Sequence, residues 1–111
     1  MVTHPPDADL NRVFRALADT TRRDILRRTV RGEVSISRLA DDYSMSFAAV
    51  QKHVSVLEAA GLVAKTSAGR ERLVRALPDR LALVRSCLQQ LEALWVHRLD
   101  QLDAVLSSPQ E

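Results

Sequence analysis

With a single cysteine, Cys87, in 111 residues, the chain has no internal disulfide framework, which fits a reducing compartment. Aromatic residues make up 4% of it, so any core must be built from Leu, Val, Ile and Ala, and that composition favours helices. No stretch approaches the roughly 18 uninterrupted apolar residues of a membrane span, and residues 1–9 hold no apolar segment of the signal-peptide kind. A cytoplasmic protein with no membrane partner is therefore expected. Gly-rich phosphate loops, a nucleophile elbow and a metal-ligand cluster are all missing, so neither an enzyme nor a bound cofactor or metal is expected. The adjacent carboxylates Asp41 and Asp42 read as capping and solvating acids of a turn.

Apolar residues account for 46% and charged residues for 27%, the balance of one globular domain with a modest core. The net charge of +2 is unevenly placed: residues 1–78 carry thirteen basic and nine acidic side chains, residues 79–111 three and five. The first part is the one suited to a polyanion.

Helical spacing of Leu10, Val13, Phe14 and Leu17 predicts a first helix over 9–18. Asp19-Thr20-Thr21 offers N-caps for a second, about 21–30, which buries Ile25 and Leu26 among Arg22, Arg23, Arg27, Arg28 and Arg31 and stops at Gly32. Ser35 opens a short helix with Ile36, Leu39 and Ala40 inward. Residues 41–45 read as a turn. Ser46 caps a helix running to about Ala60, with Gly61 at its C′ position. Two compact helices so joined form a helix-turn-helix. Strand-like runs at 62–66 and 73–77, with a turn at 67–70, follow as a hairpin, the wing.

Pro78-Asp79 then opens a final helix to about Leu106. Its apolar positions, Leu81, Val84, Leu88, Leu91, Trp95, Leu99, Leu102 and Leu106, follow a near-heptad seam with one stutter. About 25 residues give roughly 38 Å of helix, a stripe longer than one small domain covers. A second copy of the chain is the expected cover. The fold class is thus mainly α with a small β-hairpin: a winged helix-turn-helix core over about 10–77 and a C-terminal dimerisation helix over about 79–106. The expected dimer interface comprises Leu10, Val13, Phe14, Leu88, Leu91, Trp95, Leu99 and Leu102.

On the helix after Ser46, the core-facing set is Val50, Val54 and Leu57, with Phe47 and His53 at its margins. Ala48, Gln51, Lys52 and Ser55 occupy the opposite arc, and such small or hydrogen-bonding side chains suit an approach to base edges. Gln51 can contact adenine in bidentate fashion, and Lys52 can donate to guanine or phosphate. Ser46 can cap and meet a phosphate at once, while Phe47 and Ala48 can touch a thymine methyl. Arg70 and Arg72 at the wing tip, and Arg38 on the preceding helix, are candidates for the DNA backbone or minor groove. His53 fits a packed or capping role as well as a base contact. The arginines at 22, 23, 27 and 28 read as a solvated face or a phosphate clamp.

The run Leu-Ala-Asp-Thr-Thr-Arg-Arg-Asp-Ile-Leu at 17–26 resembles the opening of the ArsR/SmtB family of winged-helix repressors. The stretch from Met45 to Val63 resembles that family's recognition segment, and the likeness runs from about Leu10 to Leu77. It implies a homodimeric repressor that binds double-stranded DNA and releases its operator on a signal. Many members sense metals, but the expected Cys-x-Cys is replaced here by Ser35-Ile36-Ser37, and Asp79-Arg80-Leu81 lacks the histidine of a second familiar site. His97 and Asp100 match that site in part. The segment Trp95 to Leu102 resembles a branch that does not sense metals. A metal-, redox- or small-molecule-responsive repressor of the same fold, with an unknown small-molecule effector, is the alternative, and a winged helix used for protein–protein contact is another. Cys87, one step from the seam, reads as a core or interface residue rather than a redox thiol.

Overall fold

The computed structural model describes residues 7–107. Helix α1 spans Asp7–Leu17 and α2 Thr20–Arg31; strand β1 is Val34–Ser35; α3 spans Ile36–Tyr43 and α4 Phe47–Ala59. The hairpin strands are β2, Val63–Ala68, and β3, Glu71–Ala76, and a single 3₁₀ turn at Pro78–Arg80 leads into α5, Leu81–Ser107. The three strands form one antiparallel sheet in the order β1-β3-β2, with Val34 opposite Val74 and Val63 opposite Ala76. Among the described residues no helix is long and apolar enough to cross a membrane.

Three of the helix starts have a side-chain cap among the described residues. The side chains of Asp19, Ser35 and Ser46 accept from the backbone N–H three residues on, capping α2, α3 and α4. Helix α4 ends in a complete Schellman motif: Gly61 N–H donates to Glu58 at 2.9 Å and Leu62 N–H to Leu57 at 3.0 Å, and Leu57 and Leu62 are both fully buried. Gly61 sits at φ +76, and a Cβ there would lie 2.9 Å from Cγ of Arg80. Gly61→Ala is therefore expected to destabilise the fold by about 1–2 kcal/mol, the cost of a left-handed alanine, measured by urea unfolding. An equal loss at Gly32→Ala, where nothing lies within 4 Å of a built Cβ and φ is extended, would show that the geometry at Gly61 is not the cause.

The core joins Val13 and Ala16 of α1, Ile25 and Leu26 of α2, Ile36 and Leu39 of α3, and Val50, Val54 and Leu57 of α4 to Leu62, Val63 and Val74. Helix α5 contributes Val84, with Leu81 packed against the edge, and Arg80 pairs with Asp9 at 3.4 Å. Beyond Val84, α5 leaves the body. Leu88, Leu91, Trp95, Leu99, Leu102 and Leu106 all lie exposed on it, and Cys87 is half-buried.

Several expectations are corrected here. Residues 41–43 are helical, not a turn; the break is Ser44, whose φ of +53 closes α3 with Met45 N–H donating to Ala40. One local and two tertiary contacts accompany the longer helix: Arg38 on the same helix and Arg28 on α2 both reach the Asp42 carboxylate, at 3.4 and 2.7 Å, and the Tyr43 hydroxyl donates to Asp24. The hairpin turn is shorter than 67–70. Ala68 faces Glu71, leaving Gly69 and Arg70 as a two-residue turn with positive φ at the glycine alone, the II′ pattern. Strand β1 carried no sequence signal at two residues long. Val13, expected at the dimer interface, is 0% exposed within the chain's own core and has no surface left for a partner. Phe14, one position round the helix, does face outward.

Candidate nucleic-acid interface

Helix α4 divides cleanly. Val50, Val54 and Leu57 are fully buried, as their spacing predicts, so this face of the helix is the one turned toward α2 and α3. That leaves Ser46, Phe47, Ala48, Lys52 and Ser55 exposed along one outer arc, with Phe47 48% exposed in the first turn. Ser46 Oγ accepts from Ala49 N–H at 3.1 Å, which confirms the cap. Among the described residues Lys52 meets no acidic side chain, and its charge is open to a ligand. Gln51 is half-buried, and its Oε1 is shielded with no hydrogen-bond partner among the described residues. A shielded amide acceptor left unpaired costs about 1–3 kcal/mol, so turning this side chain outward to meet a donor would relieve a cost.

The wing stands beside this arc. Arg70 in the turn and Arg72 on β3 are both exposed. Arg38, on α3, is exposed but drawn to Asp42 at 3.4 Å, so it is held along its own helix. The Arg28 hydrogen bond keeps the Asp42 carboxyl below its ordinary value, and burial, with Asp24 beside it, pushes the Tyr43 phenol up to about 12. Arg28 also lies over the Tyr43 ring at 5.5 Å. This network ties α2 to α3 and makes a stiff base for α4.

His53 does not join the outer arc. Its side chain is 21% exposed and turns back to the start of α2, with Nδ1 3.4 Å from Arg22 Nη1 and 3.8 Å from Asp19 Oδ2. The arginines of α2 likewise have a use that spacing did not reveal. Arg22 donates from Nε to the Ala16 carbonyl at 2.8 Å and from Nη2 to that of Arg15 at 2.9 Å, while Arg23 Nη1 reaches the Leu17 carbonyl at 2.7 Å. Three consecutive carbonyls at the end of α1 are thus capped by cations at its negative pole, and that of Arg15 also accepts from the Ala18 N–H at 3.2 Å. The backbone N–H of Arg22 holds the Asp19 carboxyl below its usual value, with His53 and the Arg22 charge adding to it. A short loop followed at once by paired arginines was the available signal. His97 and Asp100 stand on the free part of α5, and among the described residues no three His, Cys, Asp or Glu side chains converge on one point.

A helix-turn-helix domain model matches residues 17–66, which takes in α2, α3, α4 and the start of the wing. Over 89 residues, 80% of each chain, the protein is 37% identical to the HTH-type transcriptional regulator Rv2034 of Mycobacterium tuberculosis. Its fold superposes on an ArsR-like transcriptional regulator from Rhodococcus sp. RHA1 with a TM-score of 0.80 and 37% identity, covering 93% of this chain and 94% of that one. At 21% identity and a TM-score of 0.63, it also shares its fold with a homodimeric winged helix-turn-helix DNA-binding domain from Mycobacterium bovis, covering 84% of this chain and 91% of that one. An outward arc on a rigidly seated second helix, a wing at its flank, and relatives of this kind across most of its length place the chain in the ArsR family of winged helix-turn-helix transcriptional regulators.

Proposed function

We propose that the protein is a homodimeric repressor that binds an inverted-repeat operator in the cytoplasm, through α4 in the major groove and the wing on the flanking backbone. The observation that carries this reading is the division of α4 into a fully buried core face and an outer arc of unengaged small and polar side chains. In it, residues 10–77 are the DNA-reading unit and α5 is the element that pairs two copies. Lys52, Arg70 and Arg72 neutralise phosphates, Gln51 reads a base edge, and Phe47 and Ala48 lie against a thymine methyl. Two copies place their α4 helices roughly 34 Å apart, one turn of B-DNA. Dimerisation is supported by the exposed apolar stripe of α5 and by the homodimeric state of the Mycobacterium bovis domain. Repression is supported by the resemblance of residues 17–26 and 45–63 to the repressors of the ArsR/SmtB family.

The test is fluorescence anisotropy with duplex DNA from upstream of the protein's own gene, titrated across salt against a scrambled duplex. Binding is expected to prefer the upstream duplex and to weaken steeply with salt. Gln51→Ala combined with Lys52→Ala is expected to lower affinity for the preferred duplex about 30-fold without lowering the melting temperature, since no hydrogen bond or ion pair of either side chain is lost among the described residues. Equal, weak binding to both duplexes, unaffected by the double substitution, would remove α4 as the reader of that sequence.

A further inference from the structure

The apolar contacts that seat α4 are strong but non-directional, and they leave a helix free to roll and slide by a fraction of an ångström. Hydrogen bonds to base edges do not tolerate that freedom, since they weaken steeply with distance and angle. Something directional must fix the rotation of α4. Among the described residues, its side chains make polar contacts with other elements at two places: Glu58 with Lys65 of β2 at 3.4 Å near the C-terminal end, and His53 in the middle. Only the second faces α2.

Both partners of His53 are themselves anchored. Arg22 is pinned by the carbonyls of Ala16 and Arg15, and Asp19 is committed as the N-cap of α2 through the Arg22 N–H at 3.0 Å. Nδ1 lies 3.4 Å from Arg22 Nη1, which can only donate, so in the tautomer that carries its proton on Nε2 the ring accepts from it, and the Asp19 carboxylate lies 3.8 Å away. We propose that His53 is a positioning residue: with Asp19 and Arg22 it latches the recognition helix to the corner between α1 and α2, and so sets the angle at which Gln51 and Lys52 meet DNA, without touching DNA itself. The assignment rests on the reading of α4 as the recognition helix. It also joins the end of α1 to the DNA-facing element through two side chains, so a shift of α1 is felt at α4.

His53→Phe keeps a planar ring and removes the acceptor. His53→Asn keeps an acceptor at the δ position, where Nδ1 sits, and removes everything at the ε position. The probes are a duplex enriched by the wild-type protein from a random-sequence pool, every single-base variant of it, and a scrambled control. His53→Phe is expected to lose about tenfold in affinity for the enriched duplex, roughly one charge-assisted hydrogen bond. Discrimination should weaken across all base positions alike, the slope of log affinity against log salt should stay the same, and His53→Asn should recover to within about twofold of wild type. Asp19→Asn, which retains an N-cap, should lose about threefold in the same pattern. A drop of about 0.9 in the salt slope would make His53 a phosphate contact and overturn the proposal. Relaxed preference at one base position would make it a base contact, with the same consequence. Full affinity in His53→Phe, or no recovery in His53→Asn, would also overturn it. If the wild-type protein enriches no duplex, the recognition-helix reading falls and the latch falls with it; if it does and the variants behave as wild type, the latch alone is wrong.

Discussion

Aspartate placed at both Leu99 and Leu102 is expected to turn a dimer into a folded monomer and to cut affinity for an inverted-repeat duplex by about 100- to 10,000-fold, the factor lost when two linked half-site contacts become independent. Both leucines lie exposed on α5, beyond Val84, the last residue of that helix to reach the chain's own core, so the substitutions leave the body of the fold untouched. What they remove is the favourable burial of a continuous stripe, where each leucine covered by a partner contributes about 1.5–3 kcal/mol, and they add the cost of two buried charges. Trp95 is the single tryptophan of the chain and is 67% exposed on the same stripe, which makes it a built-in reporter. Its emission should shift to the blue as wild-type protein is concentrated and stay red in the double variant. Sedimentation velocity should show the change of mass directly. A wild-type protein that sediments as a monomer at all concentrations, with red Trp95 emission, would refute the assignment of α5 as the pairing element.

How far the sequence carries is clearest on α4 and α1. On α4, Val50, Val54 and Leu57 recur at helical spacing, and their burial was legible because the helix has one apolar face and one body to bury it in. On α1 the spacing of Leu10, Val13, Phe14 and Leu17 was equally clear, but only part of it packs into the chain's own body. Val13 turns into the chain's own core and Phe14 turns away from it, and periodicity reports the stripe without saying which of its residues the core takes. The end of α3 was misplaced for a related reason. Asp41, Asp42 and Tyr43 have turn-like composition, and Arg28 and Asp24 of α2, distant in the sequence, join the local Arg38 in holding Asp42 and Tyr43 in the helix. The caps at Asp19, Ser35, Ser46 and Gly61 depend on residues within a few positions and could be read directly. Contacts such as His53 with Arg22, 31 residues apart, could not.

Arg22 shows how much a tertiary role of this kind is worth. Arg22→Ala is expected to destabilise the fold by about 2–4 kcal/mol, because it removes two charge-assisted bonds to the carbonyls of Ala16 and Arg15, at 2.8 and 2.9 Å, together with the contact to His53. The value lies below the full sum for three such bonds because the site is only partly buried and water replaces some of what is lost. Arg22→Lys should recover little: one ammonium cannot span two successive carbonyls and a ring nitrogen, whereas the planar guanidinium presents Nε, Nη1 and Nη2 to all three at once. Arg27 supplies the control from the same helix. It is exposed, its contact with Asp24 is 3.8 Å long, and Arg27→Ala should change stability by no more than about 0.5 kcal/mol. Urea unfolding at fixed protein concentration measures all three, with the slope expected to be unchanged and the midpoint to fall. If Arg22→Ala proved no worse than Arg27→Ala, the arginines of α2 would be the solvated face that their sequence first suggests. A gap of the expected size instead makes Arg22 the joint that fixes α1, α2 and α4 to one another, so that the helix proposed to read DNA moves with α1 as one piece.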